Sequence, residues 1–380
     1  MQSLKQRCST LAAAALGVAL TGSLVGCGTS VPEATNKDYM VAVSRPNHLN
    51  VIDAETLEPV NRCDLPAHPA PGTIVMSPDS QIAYTLIGSF GEIYGIDIES
   101  CEVVFSANQS QGNERVRSMG AIAISPDGSE IYTHQNPTVM MSDHYQVQDT
   151  RVAVFNTADG LDAKAVRTFP APRQVTIIKT GDDGTLYLGG PDVYAMDVNS
   201  GEYTTSIVSR NLDDPQYSPR DVLTVWPIGD TSNEFIRMFS VVKFNGESGD
   251  MDNASFHWGY ERIDLTTGEP TDTIFGPLEV VLFSGQTRPN HPDQMWAVLS
   301  HLKQFDVPSQ TEVRSITLDH TYYCINFSTD GDTIYLSGAL DDIVAYDANT
   351  LEKLGNITLG GDMSMATPRV INRSVITSKL

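Results

Sequence analysis

The sequence predicts an all-β fold, a seven-bladed β-propeller whose first blade is closed by the C-terminal strand. Three observations predict it. The first is residues 320–359, where short β-branched and aromatic runs alternate with Asp, Gly and Asn clusters. Residues 322–328 (YYCINFS), 333–337 (TIYLS), 343–347 (IVAYD) and 354–359 read as four strands of one antiparallel meander, the unit of a propeller blade. The second is an Asp that ends the third strand of each unit, at Asp53, Asp97, Asp197, Asp264, Asp306 and Asp347, with Asn156 filling the remaining place. The intervals are 44, 59, 41, 67, 42 and 41 residues, so two blades carry insertions. The third is a turn signature ahead of this Asp: SPDS at Ser77, SPDG at Ser125, GDDG at Gly181, HPDQ at His291 and TDGD at Thr329. No long stretch has apolar residues at a 3.6 period, so helices should be few.

Taken in order, residues 1–26 read as a lipoprotein signal peptide. Lys5 and Arg7 form a basic start, residues 11–20 an apolar stretch, and Leu24-Val25-Gly26-Cys27 resembles a lipobox. That pattern makes Cys27 the lipidation site of an exported, periplasmic, membrane-anchored chain. Residues 27–37 are the expected tether, 38–373 the propeller and 374–380 a C-terminal tail. Blade one supplies three strands, at 39–44, 48–53 and 60–65, before Gly72 opens the next. The missing strand is expected from residues 367–372, which removes an unpaired sheet edge. Blade two runs from Gly72 to about Ala107, and blade three starts near Met119 with 136–149 as an extended loop. Blade four begins at Arg173. Blade five begins near Asp221 with a polar insertion at 245–254, and blades six and seven begin near Leu278 and His320.

Charge and cysteines bound the function. The formal net charge is -23, and removing residues 1–26 deletes two positive charges, giving -25. Such a surface argues against a nucleic-acid partner, and a solvated exported surface explains it. Beyond Cys27 stand Cys63, Cys101 and Cys324. Export permits a Cys63–Cys101 disulfide, but at about 3.3 Å per residue the two stand too far apart unless the blades are staggered. Cys324, on an inner strand, reads as a small buried hydrophobe.

The sequence contains no dinucleotide fingerprint, P-loop, H-E-x-x-H or haem-attachment motif, and its eight His residues are scattered. Asp250 and Asp252 copy only part of a calcium loop. The chemistry-bearing residues that remain gather where inner strands meet one rim. Arg45, Asn47 and His48 share one loop, and His144 and Tyr145 another. Asp319, His320, Tyr322 and Tyr323 lead into the last blade, and Asp362 into the closing strand. Together these residues are the candidate docking or substrate face, since loops on a rigid scaffold carry propeller binding sites. None is assigned as catalytic, cofactor-binding or metal-binding.

Several segments resemble the β subunit of quinohemoprotein amine dehydrogenase. They are SRPNHLNVID at 44–53, PGTIVMSPD at 71–79, EIYGIDIESC at 92–101, VRTFPAPRQV at 166–175, LDHTYYCINF at 318–327 and NITLGGDMSMATPRV at 356–370. The resemblance covers 38–373 and implies a propeller subunit of a periplasmic complex that oxidises primary amines to aldehyde and ammonia. It implies cysteine tryptophylquinone on a small partner subunit, haem c on a di-haem cytochrome partner, and no cofactor in this chain. The amine would bind where the propeller walls the small subunit. The lipobox and the 374–380 tail are not features of that family. The rivals are a surface-anchored propeller for adhesion or assembly, and a self-contained hydrolase, which would need carboxylates and a metal on the axis.

Overall fold

The computed structural model describes residues 36–66, 73–223, 228–364 and 366–380. The signal, Cys27, Gly72 and Met365 lie outside the described residues. Seven antiparallel sheets follow one another along the chain and make a seven-bladed propeller. The predicted closure is present: Arg369–Arg373 is the innermost strand of blade 1 and pairs with Lys37–Ser44, Tyr39 facing Ile371. His48–Asp53 and Pro59–Asp64 complete that blade. The innermost strands of the other six are Ile74–Met76, Ile122–Ile124, Ile177–Thr180, Asp221–Leu223, Ser284–Arg288 and Cys324–Phe327. Strands thus begin a few residues later than the sequence places blades four and six, where the entry segments stay irregular. Among the described residues the only helices are two 3-10 turns, Thr157–Asp159 and Met251–Asn253.

The recurring Asp has a local explanation. The Asp97 carboxylate accepts from the backbone N–H groups of Glu99 at 3.0 Å and Ser100 at 2.7 Å, and Asp347 accepts from Asn349 at 2.8 Å and Thr350 at 2.7 Å. A short carboxylate replaces the hydrogen bonds the chain loses on turning. Four residues after each Asp, or after Asn156, the backbone turns left-handed: Leu57, Cys101, Gly160, Gly201, Gly268, Gln310 and Leu351 all have positive φ. Where the carboxylate is missing, at Asn156, the 3-10 turn Thr157–Asp159 takes its place. The HPDQ signature departs from the pattern. His291 already lies in the strand His291–Val298, and a two-residue turn at Pro289–Asn290, with Asn290 at φ 62°, precedes it.

Apolar layers between blades form the core. Trp258 of blade 5 stacks on Phe275 at 4.6 Å and meets Phe305 of blade 6 at 4.3 Å, and Trp296 packs beside Phe327 of blade 7. The Cys63–Cys101 disulfide that residue spacing disfavoured is present, with Cα atoms 5.2 Å apart. The blades are staggered as it requires: Asn61 on the outer strand of blade 1 donates to the carbonyls of Ile98 at 2.8 Å and Glu99 at 3.0 Å in the blade 2 turn. Cys324 is buried and free, and burial pushes its thiol up to about 12.

Two insertions need correction. Residues 136–149 are not a plain loop, because the strand Glu130–Met140 continues through them and pairs with Tyr145–Val147 on one side and Glu114–Arg117 on the other. In blade 5, Glu234–Phe244 and Ala254–Asp264 pair along their whole lengths, so 245–253 is only the tip of a long hairpin.

Blade 5 also sends a segment across the axis, which the sequence did not predict. Residues 228–232 bond to innermost strands of four other blades. Lys179 of blade 4 donates to Gly229 O at 3.1 Å, Arg369 of blade 1 donates to Ile228 O at 2.5 Å, Thr231 donates to Asn326 of blade 7 at 2.8 Å, and Ser232 donates to Thr287 O of blade 6. A Cβ on Gly229 would stand 2.8 Å from Ile325 O, so no other residue fits this close approach.

Candidate docking and substrate face

Strand direction alternates within a blade, so the entry segment and the loop between second and third strands emerge on one face. The two remaining hairpin turns emerge on the other. That rule puts Arg45, Asn47, His48, His144, Tyr145, Asp319, His320, Tyr322, Tyr323 and Asp362 on a single face, the entry face. The structure brings them together as three separate groups.

At blades 1 and 7, Arg45 N donates to Asp362 O at 2.9 Å, and the Arg45 guanidinium lies 3.2 Å from the Asp362 carboxylate. Both side chains are more than a third exposed. Asn47 and His48 turn toward the outer strand instead: Asn47 donates to Leu65 O at 2.9 Å, and His48 Nδ1 meets Asp64 at 2.9 Å. These two residues staple blade 1.

Between blades 6 and 7 lies the most organised group. The His320 ring packs on Tyr322 with centroids 4.1 Å apart. Asp342, at the start of the third strand, accepts from the Tyr322 hydroxyl at 2.9 Å and faces His320 Nε2 at 3.0 Å. His320 Nδ1 faces Thr321 O at 2.9 Å, so both ring nitrogens meet acceptors. Tyr322 is 2% exposed, which corrects its reading as a surface contact. Burial and the neighbouring Asp342 carboxylate hold its phenol well above the ordinary range, so it serves as a fixed donor. Tyr323 is half-buried against Phe283, and Asp319 pairs with Lys353 at 2.9 Å.

The third group stands on the raised hairpin of blade 3, where the His144 ring meets its neighbour Asp143 at 2.8 Å. Here the sequence reading missed the apolar character. Met140, Met141, Tyr145 and Val147 are all exposed on this hairpin, Tyr145 by 70% and Val147 by 66%. Met251 and Phe256 on the blade 5 hairpin, with Val281 and Leu340, are exposed on the same face. The doubled Met in NPTVMMSD, unusual in a solvated loop, was the available signal. Among the described residues no three His, Cys, Asp or Glu side chains converge as a metal-binding group.

Comparison with known proteins informs the fold. No family model and no curated protein sequence matches the chain. Solved structures do. The dihydro-heme d1 dehydrogenase NirN, in complex with DHE, is 15% identical with a TM-score of 0.53, covering 87% of this chain and 75% of its own. A functionally unknown protein from Desulfotomaculum acetoxidans is 10% identical with a TM-score of 0.56, covering 88% and 99%. The hydrazine synthase of Kuenenia stuttgartiensis is 14% identical with a TM-score of 0.51, covering 88% and 99%. At these identities the likeness establishes the propeller alone, and none of the three is described as a quinohemoprotein amine dehydrogenase β subunit.

Proposed function

We propose that the chain is the propeller subunit of a periplasmic, lipid-anchored amine dehydrogenase complex, and that its entry face holds a small quinone-bearing subunit and a di-haem cytochrome. The observation that carries this reading is the concentration of exposed apolar side chains on that face. The same face carries the segments LDHTYYC and GGDMS, at blades 7 and 1, which resemble the β subunit of quinohemoprotein amine dehydrogenase. Several exposed apolar side chains on one face of an otherwise acidic chain suit a docking surface.

The quinone of the small subunit supplies the oxidation of the amine, and haem on the cytochrome takes the electrons away. This chain's residues do the rest. The raised hairpins of blades 3 and 5 cover apolar surface on the partner and exclude water from the reacting amine. Asp342 holds His320 and Tyr322 in fixed orientation at the wall of the site, and the Arg45–Asp362 pair braces the adjoining loops. The strongly negative net charge of the chain favours approach of a protonated amine.

Purification of the native assembly tests the proposal. A cytochrome absorbance and a small internally cross-linked chain should accompany the propeller, and the mixture should oxidise primary amines. A colourless single chain without amine turnover favours the adhesion or assembly role. A single chain that turns over amines by itself refutes a scaffolding role.

A further inference from the structure

Residues 228–232 fill only part of the axis. Beside them lies a cavity of about 200 Å³, bounded by the innermost strands of blades 2, 3 and 4. One wall is apolar and built largely of isoleucines from blades 3 and 4; the other carries Lys179, Thr180, Asp230 and Arg369. Both cations are held by backbone carbonyls among the described residues. Lys179 Nζ donates to Gly229 O at 3.1 Å and Glu234 O at 2.9 Å, and Arg369 donates to Ile74 O at 2.7 Å and Ile228 O at 2.5 Å. Glu234 is engaged elsewhere, by Arg262 at 2.6 Å and Thr287. Among the described residues Asp230 is the one carboxylate lining the cavity, and its oxygen already accepts from Asn326 at 2.6 Å. Thr180 Oγ1 is buried without a hydrogen-bond partner among the described residues.

Among the described lining residues two cations stand against one carboxylate, an excess positive charge at a partly enclosed cavity that an anion would compensate. Burial, which outweighs the attraction of Asp230 and is reinforced by Arg369, pushes the Lys179 ammonium down to about 8. Arg369 is also lowered by burial. An anion would relieve both, and the apolar wall favours one with a hydrocarbon tail.

We propose that the axial cavity binds a small monocarboxylate, its carboxylate held between Lys179, Thr180 and Arg369 and its apolar part against the isoleucines of blades 3 and 4. The same charge excludes a protonated amine, so this site is distinct from the amine site on the entry face. It stands whether or not the chain joins an amine dehydrogenase.

Isothermal titration of the purified chain with butyrate, benzoate, inorganic phosphate and chloride at constant ionic strength tests the site. Butyrate or benzoate should bind saturably at pH 7 and raise the melting temperature. Binding should weaken at least tenfold by pH 9.5, because Lys179, facing Asp230, Glu234 and Arg369, loses its proton there. Lys179→Met should abolish binding, and should that variant fail to fold, Ile124→Trp should block the apolar wall instead. No saturable binding by either acid, equal binding of phosphate, or unchanged affinity in the folded variant would overturn the proposal.

Discussion

The amide of Asn326 donates to the carboxylate of Asp230 across 2.6 Å, although the two stand 96 residues apart and belong to blades 7 and 5. Asp230 also receives Val370 N of blade 1 at 3.4 Å, so one carboxylate links three blades at the axis. Asp230→Ala leaves buried donors unpaired and should cost about 2–4 kcal/mol in urea unfolding. A loss below about 0.5 kcal/mol would show that the axial segment is not part of the cooperative fold.

The disulfide ties the outer strand of blade 1 to the turn of blade 2 over a separation of 38 residues. In the loop-entropy model a closure of that length stabilises by about 3–4 kcal/mol. The double variant Cys63→Ser, Cys101→Ser should lose this amount, and a reductant should lower the melting temperature of the wild type but not of the variant. Equal sensitivity of both to reductant contradicts the assignment.

Acid should destabilise the ring in two stages. His134 is fully buried, its Nε2 against Pro172 O at 2.8 Å, and burial pushes it down to about 4. Unfolded His134 takes a proton near pH 6.5 and the folded residue does not, so stability falls as pH drops from about 6.5 to 4, by roughly 3 kcal/mol. The turn carboxylates act lower. Hydrogen bonds from Ser125 and Ser129 hold Asp127 down to about 2, so its contribution, complete above its unfolded pKa, is lost between about pH 4 and 2. Between pH 6.5 and 4 His134→Gln should lose roughly 3 kcal/mol less stability than the wild type; an unchanged slope contradicts the role of His134.

Tyr322 separates packing from function. Because it is buried, Tyr322→Ala opens a cavity and should cost about 3–5 kcal/mol whatever the site does. Tyr322→Phe keeps the volume and removes only the bond to Asp342, leaving His320 as the sole side chain held there. It should keep the β-rich circular dichroism and reduce amine turnover or partner retention several-fold. Unchanged kinetics and assembly in a folded Tyr322→Phe remove this group from the functional face.

Much of this was legible because propeller architecture writes itself locally. The Asp turns, the alternating strands and the missing fourth strand of blade 1 are all short-range chemistry, and strand alternation alone puts Arg45, His144, His320 and Asp362 on one face. Other features depend on distant partners. Nothing in residues 228–232 (IGDTS) announces a segment that bonds to four other blades, since Lys179, Asn326 and Arg369, which meet it, lie elsewhere in the chain. The disulfide failed on spacing because counting residues along strands ignores the stagger that Asn61 reports. Tyr322 was placed at the surface by its position before an inner strand, whereas Asp342, at the start of a later strand, draws its hydroxyl inward.

Lending one face to redox-active partners is tested most directly by hydrogen–deuterium exchange of the native assembly against the isolated chain. Protection should concentrate on the hairpins around 138–147 and 251–256 and on 319–323, with the opposite-face turns at 77–80 and 125–129 unchanged. Protection confined to those opposite turns, or no difference between the two samples, would contradict it.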